Sequence, residues 1–203
     1  MLFFKKAFVS ALALLAAPSI AALTPAQMVG NIELLTTKSK ALQNPAKSIT
    51  IVNGPLIAIG LGPFPQIIVG FTEIITITST AIAQMQGSAV ITNPTDAKAI
   101  ADAFRMFVKV HQELLNILIG KAGLFTLVPI IGQPVASVLR SLEAIVDTVA
   151  LGIINTVEVA ASKETIQSDA DSLSATISLS INSYQGLIPI KKRHARDFIM
   201  IDA

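Results

Sequence analysis

The 203-residue sequence has no cysteine, no tryptophan, one tyrosine and two histidines. The lack of cysteine excludes a disulfide framework, a thiolate metal site and a cysteine nucleophile. Histidine is almost as scarce, because His194 lies near the C-terminus and only His111 falls in the main part of the chain. Metal-ligand spacings, glycine-rich phosphate loops and the Gly-x-Ser-x-Gly turn of hydrolases do not occur either. The sequence therefore predicts a protein that is not an enzyme and that holds neither a cofactor nor a metal.

The N-terminus has the pattern of a cleavable secretory signal peptide. A pair of lysines is followed by the apolar run 7–17, and Pro18 then ends the helix before several small residues. The run is too short for a membrane anchor, because ~30 Å of hydrocarbon needs about 20 helical residues. We therefore expect residues 1–22 to be a signal peptide and the protein to be secreted, with a mature start near Ala22 or Leu23.

Charged residues are also few, at 14% of the chain compared with about 25% in ordinary soluble domains. Without Lys5 and Lys6 of the signal, 13 basic residues balance 13 acidic ones, so the mature chain is formally neutral. This balance argues against a nucleic-acid partner, since phosphate binding needs a basic surface. The remaining basic excess is confined to the tail, 188–203, where Lys191 to Arg193 form a dibasic run. That run would suit either proteolytic processing or a solvated tail.

The chain is unusually apolar, with 52% hydrophobic residues and a mean hydropathy of +0.67. Residues 48–72 and 122–139 contain no charged side chain at all. Proline and glycine interrupt both stretches, so neither supplies the ~20 continuous helical residues that a membrane span requires. We therefore expect no transmembrane span.

Apolar residues recur at helical spacing in five segments. Residues 66–86 are rich in β-branched side chains and would also suit a strand, but the length of the segment favours a helix. Beyond residue 95 each helix has one apolar and one polar face, as in a water-soluble bundle. The predicted fold is all-α, a single antiparallel bundle of about five helices over 23–187 without disulfides. The predicted helices are 25–44, 66–86, 96–120, 135–157 and about 162–184.

His111 lies on the apolar face of the third predicted helix. We interpret it as a packed histidine, bonded to a backbone carbonyl or a water, in preference to a catalytic or ligand-contacting residue, because no partner set accompanies it. The carboxylate pairs Glu143/Asp147 and Asp169/Asp171 are interpreted as solvated helix faces. None of these residues predicts an active site.

The mature chain resembles the fungal hydrophobic surface-binding protein A family, which includes secreted cell-wall galactomannoproteins. The resemblance covers about residues 27–187 and lies in the segments LQNPAKSITIVNGPL, VHQELLNILIGKAGLF, VASVLRSLEAIVDTVALGII and INSYQGL. It implies an all-helical exported protein without catalytic activity. Members attach to hydrophobic surfaces, and some wall members hold fatty acids between their helices. The tail from Ile188 has no counterpart in the family pattern, and the chain lacks an anchor signal, which favours release or loose wall association.

These observations predict a secreted protein, either released or associated with the cell wall, that binds a hydrophobic surface or a long-chain lipid. Binding would use apolar helix faces or a cavity between helices, since composition does not distinguish a cavity from a filled core. One alternative is a structural protein with a filled core that contacts cell-wall polymers or a host protein. Another is a membrane-active helical protein. The predicted ligand-binding residues are Phe71, Ile75, Phe104, Phe107, Leu114, Leu118, Ile145 and Val149.

Overall fold

The structure, a computed structural model, describes residues 22–125 and 132–185. The predicted signal peptide, apart from Ala22, and the basic tail 188–203 lie outside the described residues. Five α-helices account for most of the described chain, which confirms the predicted all-α bundle. Short 3₁₀ turns follow the first and third helices, at Gly54–Ile59 and Gly123–Phe125. The helices are α1 Pro25–Lys47, α2 Pro63–Met85, α3 Pro94–Ala122, α4 Gly132–Thr156 and α5 Ala160–Gln185.

Side chains define where α1 and α3 begin. Thr24 and Gln27 form a capping box at α1, in which each side chain accepts a hydrogen bond from the other residue's backbone N–H. At α3 the Asn93 side chain accepts from the backbone N–H groups of Thr95 and Asp96. Both helices then start with proline, whose missing N–H would have no helical partner there. The start of α1 agrees with the sequence prediction, and α3 begins two residues before the predicted start at 96.

Three boundaries lie three residues from the predicted ones, and one of them is the start of α4 at Gly132, where 135 was expected. Helix α1 continues through Pro45 to Lys47, because proline removes only one hydrogen bond and the buried Ala46 packs the last turn onto the core. Helix α2 begins at Pro63, three residues earlier than expected. Gly62 there has φ of +84°, and a Cβ at this position would lie 2.8 Å from the carbonyl oxygen of Asn53. Glycine therefore allows the tight reversal that places proline at the first helical position.

The β-branched segment is helical, as its length predicted. Threonine hydroxyls in α2 donate to the carbonyl oxygen four residues earlier, as Thr78 does to Ile74 at 2.7 Å. Phe71, Ile74 and Met85 are buried along the same face. Among the described residues, α2 is the one helix long and apolar enough to cross a membrane by length and composition. Its buried stripe instead faces the other helices of the bundle.

Each of the five helices packs closely against two others, so that they close into a ring. The order around the ring is α1, α3, α5, α4, α2. Helices that follow each other in sequence run in opposite directions, as predicted, and α1, α3 and α5 consequently run parallel. Successive contacts show this direction. Ser39 contacts His111 and, further along, the Ile49 carbonyl accepts from Lys121. Arg105 likewise pairs with Asp169, and Tyr184 donates to the Leu118 carbonyl.

The end of the bundle that holds the N-termini of α1, α3 and α5 is tied by backbone hydrogen bonds. The N–H of Ile91, between α2 and α3, donates to the Thr156 carbonyl at 2.8 Å, and the N–H of Glu158 donates back to Ile91 at 3.0 Å. The Leu23 N–H donates to the hydroxyl of Ser88 on the same connection. Two interhelix connections and the start of α1 are therefore joined at this end.

Candidate functional site

All eight predicted ligand-binding residues belong to the core of the ring or pack against it. Ile75 and Ile145 are half-buried against the core. The other six are buried, and Phe71, Leu114 and Leu118 are fully so. Their assignment as ligand contacts stays a prediction, because the same positions also form the packed interior. The six are Phe71, Phe104, Phe107, Leu114, Leu118 and Val149.

Aromatic rings from two helices meet around His111. On α3, the ring centroids of Phe107 and His111 are 5.2 Å apart. Phe71, on α2, lies edge to face with His111, and their ring centroids are 5.9 Å apart. Phe104 lies 6.2 Å from Phe107 and extends the group along α3. The imidazole is thus enclosed by apolar rings. It is fully buried.

His111 is the packed histidine expected from the sequence, but its partner is a side chain. Its Nδ1 lies 2.8 Å from the hydroxyl oxygen of Ser39 on α1, in place of the expected backbone carbonyl or water. Its Nε2 is buried and has no hydrogen-bond partner. Burial lowers the pKa of His111 to about 4, because a charged imidazolium is poorly solvated in an apolar interior. The ring is therefore neutral at pH 7.

Most of the other buried polar groups are satisfied. Gln43 donates to the carbonyl of Val110 at 3.3 Å, next to His111 in sequence. The hydroxyl of Tyr184 donates to the Leu118 carbonyl at 2.8 Å, and burial raises the pKa of this phenol. The hydroxyl of Ser180 on α5 is buried without a partner. In the described chain, the unpaired buried side-chain atoms are thus this hydroxyl and Nε2 of His111.

A small apolar cavity lies between α1, α2 and α4, near the tied end of the bundle. Its volume is about 20 Å³, far below the ~300 Å³ at which pockets for small molecules usually begin. Of the eight predicted residues, Val149 lines it. A periodic apolar stripe does not distinguish a residue that lines a gap from one that packs solidly, so the sequence did not single out the rest. The lining residues are Leu23, Met28, Asn31, Ile32, Leu35, Ala81, Met85, Val149 and Ile153.

The carboxylates lie on the outer faces of the bundle, but Glu143 and Asp169 are half-buried, where solvated side chains were expected. Asp147 is exposed, and Glu143 accepts a hydrogen bond from Ser178 across the α4–α5 contact at 2.6 Å. Partial burial and the charge of Glu143 raise the pKa of Asp147. Asp169 pairs with Arg105 at 3.1 Å. Within the described residues no cluster of histidine and carboxylate side chains has an arrangement that could hold a metal ion.

No protein-family model and no curated protein sequence matches the chain. Solved structures do match. The structure of Afmp4p in complex with palmitic acid superimposes with a TM-score of 0.69 at 16% identity, over 79% of this chain and 99% of that one. Ligand-binding domain 1 of the Penicillium marneffei MP1 protein, complexed with arachidonic acids, superimposes with a TM-score of 0.67 at 14% identity. That match covers 79% of this chain and 99% of the domain. This chain has their fold.

A second domain of the same protein extends the likeness. Ligand-binding domain 2 of Penicillium marneffei MP1, also in complex with arachidonic acids, gives a TM-score of 0.65 at 15% identity. That match covers 81% of this chain and 94% of the domain. The all-helical architecture that the family resemblance implied is thus shared with these neighbours. At such identities the likeness establishes the helical architecture, and the ligands named belong to those proteins.

Proposed function

We propose that this protein is a secreted, non-enzymatic binder of long-chain fatty acids that holds the acyl chain between its helices. The observation that carries the proposal is the shared fold with three domains solved with palmitic or arachidonic acid. The neutral and apolar interior supports it, since the buried core is aliphatic and aromatic along all five helices. The carboxylates on the outer faces have no catalytic partner among the described residues.

The acyl chain would enter at the cavity between α1, α2 and α4. Because that cavity holds about 20 Å³, the helices must separate before a long chain fits. Burying roughly 300 Å² of acyl surface at ~25 cal/mol per Å² contributes about 7 kcal/mol before entropy losses. Micromolar affinity needs ~8.2 kcal/mol, so this apolar surface alone gives weaker binding, and a longer buried chain or a polar contact must supply the difference. Met85 is well placed to yield, since methionine repacks more readily than branched side chains.

Native mass spectrometry of the delipidated protein with palmitic acid tests the proposal directly. We expect a one-to-one or higher complex, and no mass shift with a short-chain acid of the same charge. Ala81 lines the cavity, and its replacement by leucine would fill the entry. Ala81→Leu should therefore weaken palmitic acid binding, whereas the matched variant Ala170→Leu on α5, at a similarly buried alanine, should not. If neither the wild type nor the control variant takes up palmitic acid, fatty-acid binding is refuted.

A second candidate function is attachment to an apolar surface through the connection between α1 and α2. Five large aliphatic side chains are exposed within eleven residues of this uncharged segment, and Val52 is 85% exposed. Scattered exposed leucines are ordinary, but a group of this kind often marks an interaction site. The five are Ile51, Val52, Leu56, Ile59 and Leu61.

Adsorption to a wax-coated surface distinguishes this candidate from internal binding. Replacing Ile51, Val52 and Ile59 by serine should reduce adsorption and leave palmitic acid uptake unchanged. The control replaces Leu151 and Leu179, which are exposed on α4 and α5, by serine. Equal loss of adsorption in both variants would mean that general hydrophobicity, and not this segment, mediates attachment.

A further inference from the structure

Nε2 of His111 is a buried polar atom that lacks a partner. Leaving such a group unpaired in a protein interior is costly, and the great majority of buried nitrogens are bonded to protein or ordered water. The other ring nitrogen is held at 2.8 Å by Ser39, so the ring has a fixed orientation with one free position. A group from outside the chain would satisfy that position.

The surroundings restrict what this group can be. Rings of Phe71 and Phe107 flank the imidazole, and a bare charge would be poorly solvated among them. The Ser39 hydroxyl can donate to Nδ1 or accept from it, and Nε2 is accordingly a donor or an acceptor. A carboxyl group matches both cases, because its O–H can donate to the nitrogen and its oxygen can accept from an N–H.

The position of His111 relative to the cavity suits an acyl chain. Ser39 lies one helical turn from Leu35, which lines the cavity. From Ser39 the buried face of α1 continues to Met28, which also lines the cavity and lies about 16 Å away along the helix axis at ~1.5 Å per residue. A ligand with its head at His111 and its tail toward Met28 would follow one face of α1, comparable in length to an extended long-chain acid.

We propose that His111 is the polar anchor of the fatty-acid site, with Nε2 hydrogen-bonded to the ligand's carboxyl group and Ser39 holding the ring in place. This inference rests on the proposed function and adds to it a specificity for acids over hydrocarbons. Ser180 is the rival anchor, because its hydroxyl is also unpaired. Neither α3 nor α5 lines the cavity. His111 is nevertheless hydrogen-bonded through Ser39 to α1, which does line it, whereas the hydroxyl of Ser180 has no hydrogen-bond partner.

The test compares palmitic acid with hexadecane, each partitioned between the delipidated full-length protein and cyclodextrin. Replacing His111 by phenylalanine keeps a ring and removes both nitrogens. We expect His111→Phe to bind palmitic acid about tenfold more weakly, the loss typical of one hydrogen bond, and hexadecane as the wild type does. The control is Thr78→Val, since that buried hydroxyl is already bonded to Ile74. It should change neither affinity.

Long-range ¹H–¹⁵N spectra of wild-type protein provide a readout that does not depend on the variant folding. The Nε2 resonance of His111 should shift on addition of palmitic acid and stay constant with hexadecane. An unchanged resonance with bound palmitic acid would assign the position to a water and overturn the anchor, as would equal affinity in His111→Phe. Loss of acid selectivity in Ser180→Ala alone would move the anchor to α5. Failure of the wild type to take up palmitic acid would instead refute the proposed function as well.

Discussion

Acidification should destabilise the fold through His111. The unfolded chain binds a proton at this residue below the ordinary histidine pKa of ~6.5, whereas the folded protein does so only below about 4. Between these values the unfolded state binds more protons, so stability falls as the pH is lowered and is fully retained above about 6.5. Each pH unit in this window costs ~1.4 kcal/mol, which gives about 3 kcal/mol by pH 4.

The contributions of other charged groups must be separated from this effect. The charged side chains on the helices around the ring form exposed pairs, Lys38 with Glu73 and Lys47 with Glu113. Asp147 acts in the opposite direction, because its pKa is raised in the folded protein and protonation there favours folding. Comparing the wild type with a variant that lacks His111 at each pH removes these shared contributions.

The comparison uses His111→Gln, which keeps a hydrogen-bonding side chain toward Ser39 and cannot titrate. Urea unfolding followed by far-UV circular dichroism at pH 7, 6, 5 and 4.5 gives the free energy of unfolding of each protein. Wild-type stability should decline more steeply than that of the variant, with the difference between them shrinking by about 2.5 kcal/mol between pH 7 and pH 4.5. Parallel declines would refute a neutral, buried His111.

Three further substitutions test the packing, each by urea unfolding at pH 7. Leu114→Ala should cost about 2–5 kcal/mol, because the side chain is fully buried; a loss below 1 kcal/mol would contradict the packed core. Thr24→Ala should cost about 1 kcal/mol through loss of the cap on α1, and Thr24→Ser should restore most of it. Gly30→Ala should stabilise by up to about 1 kcal/mol, since a Cβ there meets open space. Gly70→Ala is the matched case in α2 and should be less favourable, because its Cβ would collide with the buried Leu42 side chain. Equal effects at the two glycines would contradict that contact.

The helices were predictable because their apolar residues recur with a helical period over long segments. In α3 the stripe from Ile100 to Leu118 is buried as expected. The end of α1 could not be predicted, because a proline in the last turn usually indicates a helix end. Here the tertiary packing of Ala46 stabilises the helix beyond that proline. The order of helices around the ring was also beyond the sequence. A stripe shows which face is buried and leaves open which helix covers it.

The candidate site was harder to predict from the sequence than the fold was. His111 was noticed because it interrupts an apolar face, but Ser39, 72 residues away, carries no local sign of being its partner. A serine on a buried stripe usually satisfies its hydroxyl within its own helix. Whether Nε2 is paired depends on the packing of three helices together. Such a vacancy in the hydrogen bonding becomes visible only in three dimensions.

The ring also determines how the chain can reach its folded state. Two of its contacts join helices that are consecutive in sequence, α1 with α2 and α4 with α5, and each pair can form as a local hairpin. Helix α3 packs mainly against α1 and α5, and its contacts with α2 and α4, its neighbours in sequence, are weaker. Its insertion between them closes long loops, which is the slow and entropically costly part of folding. Helix α3 is therefore the element whose docking should limit the folding rate, with the two hairpins already formed.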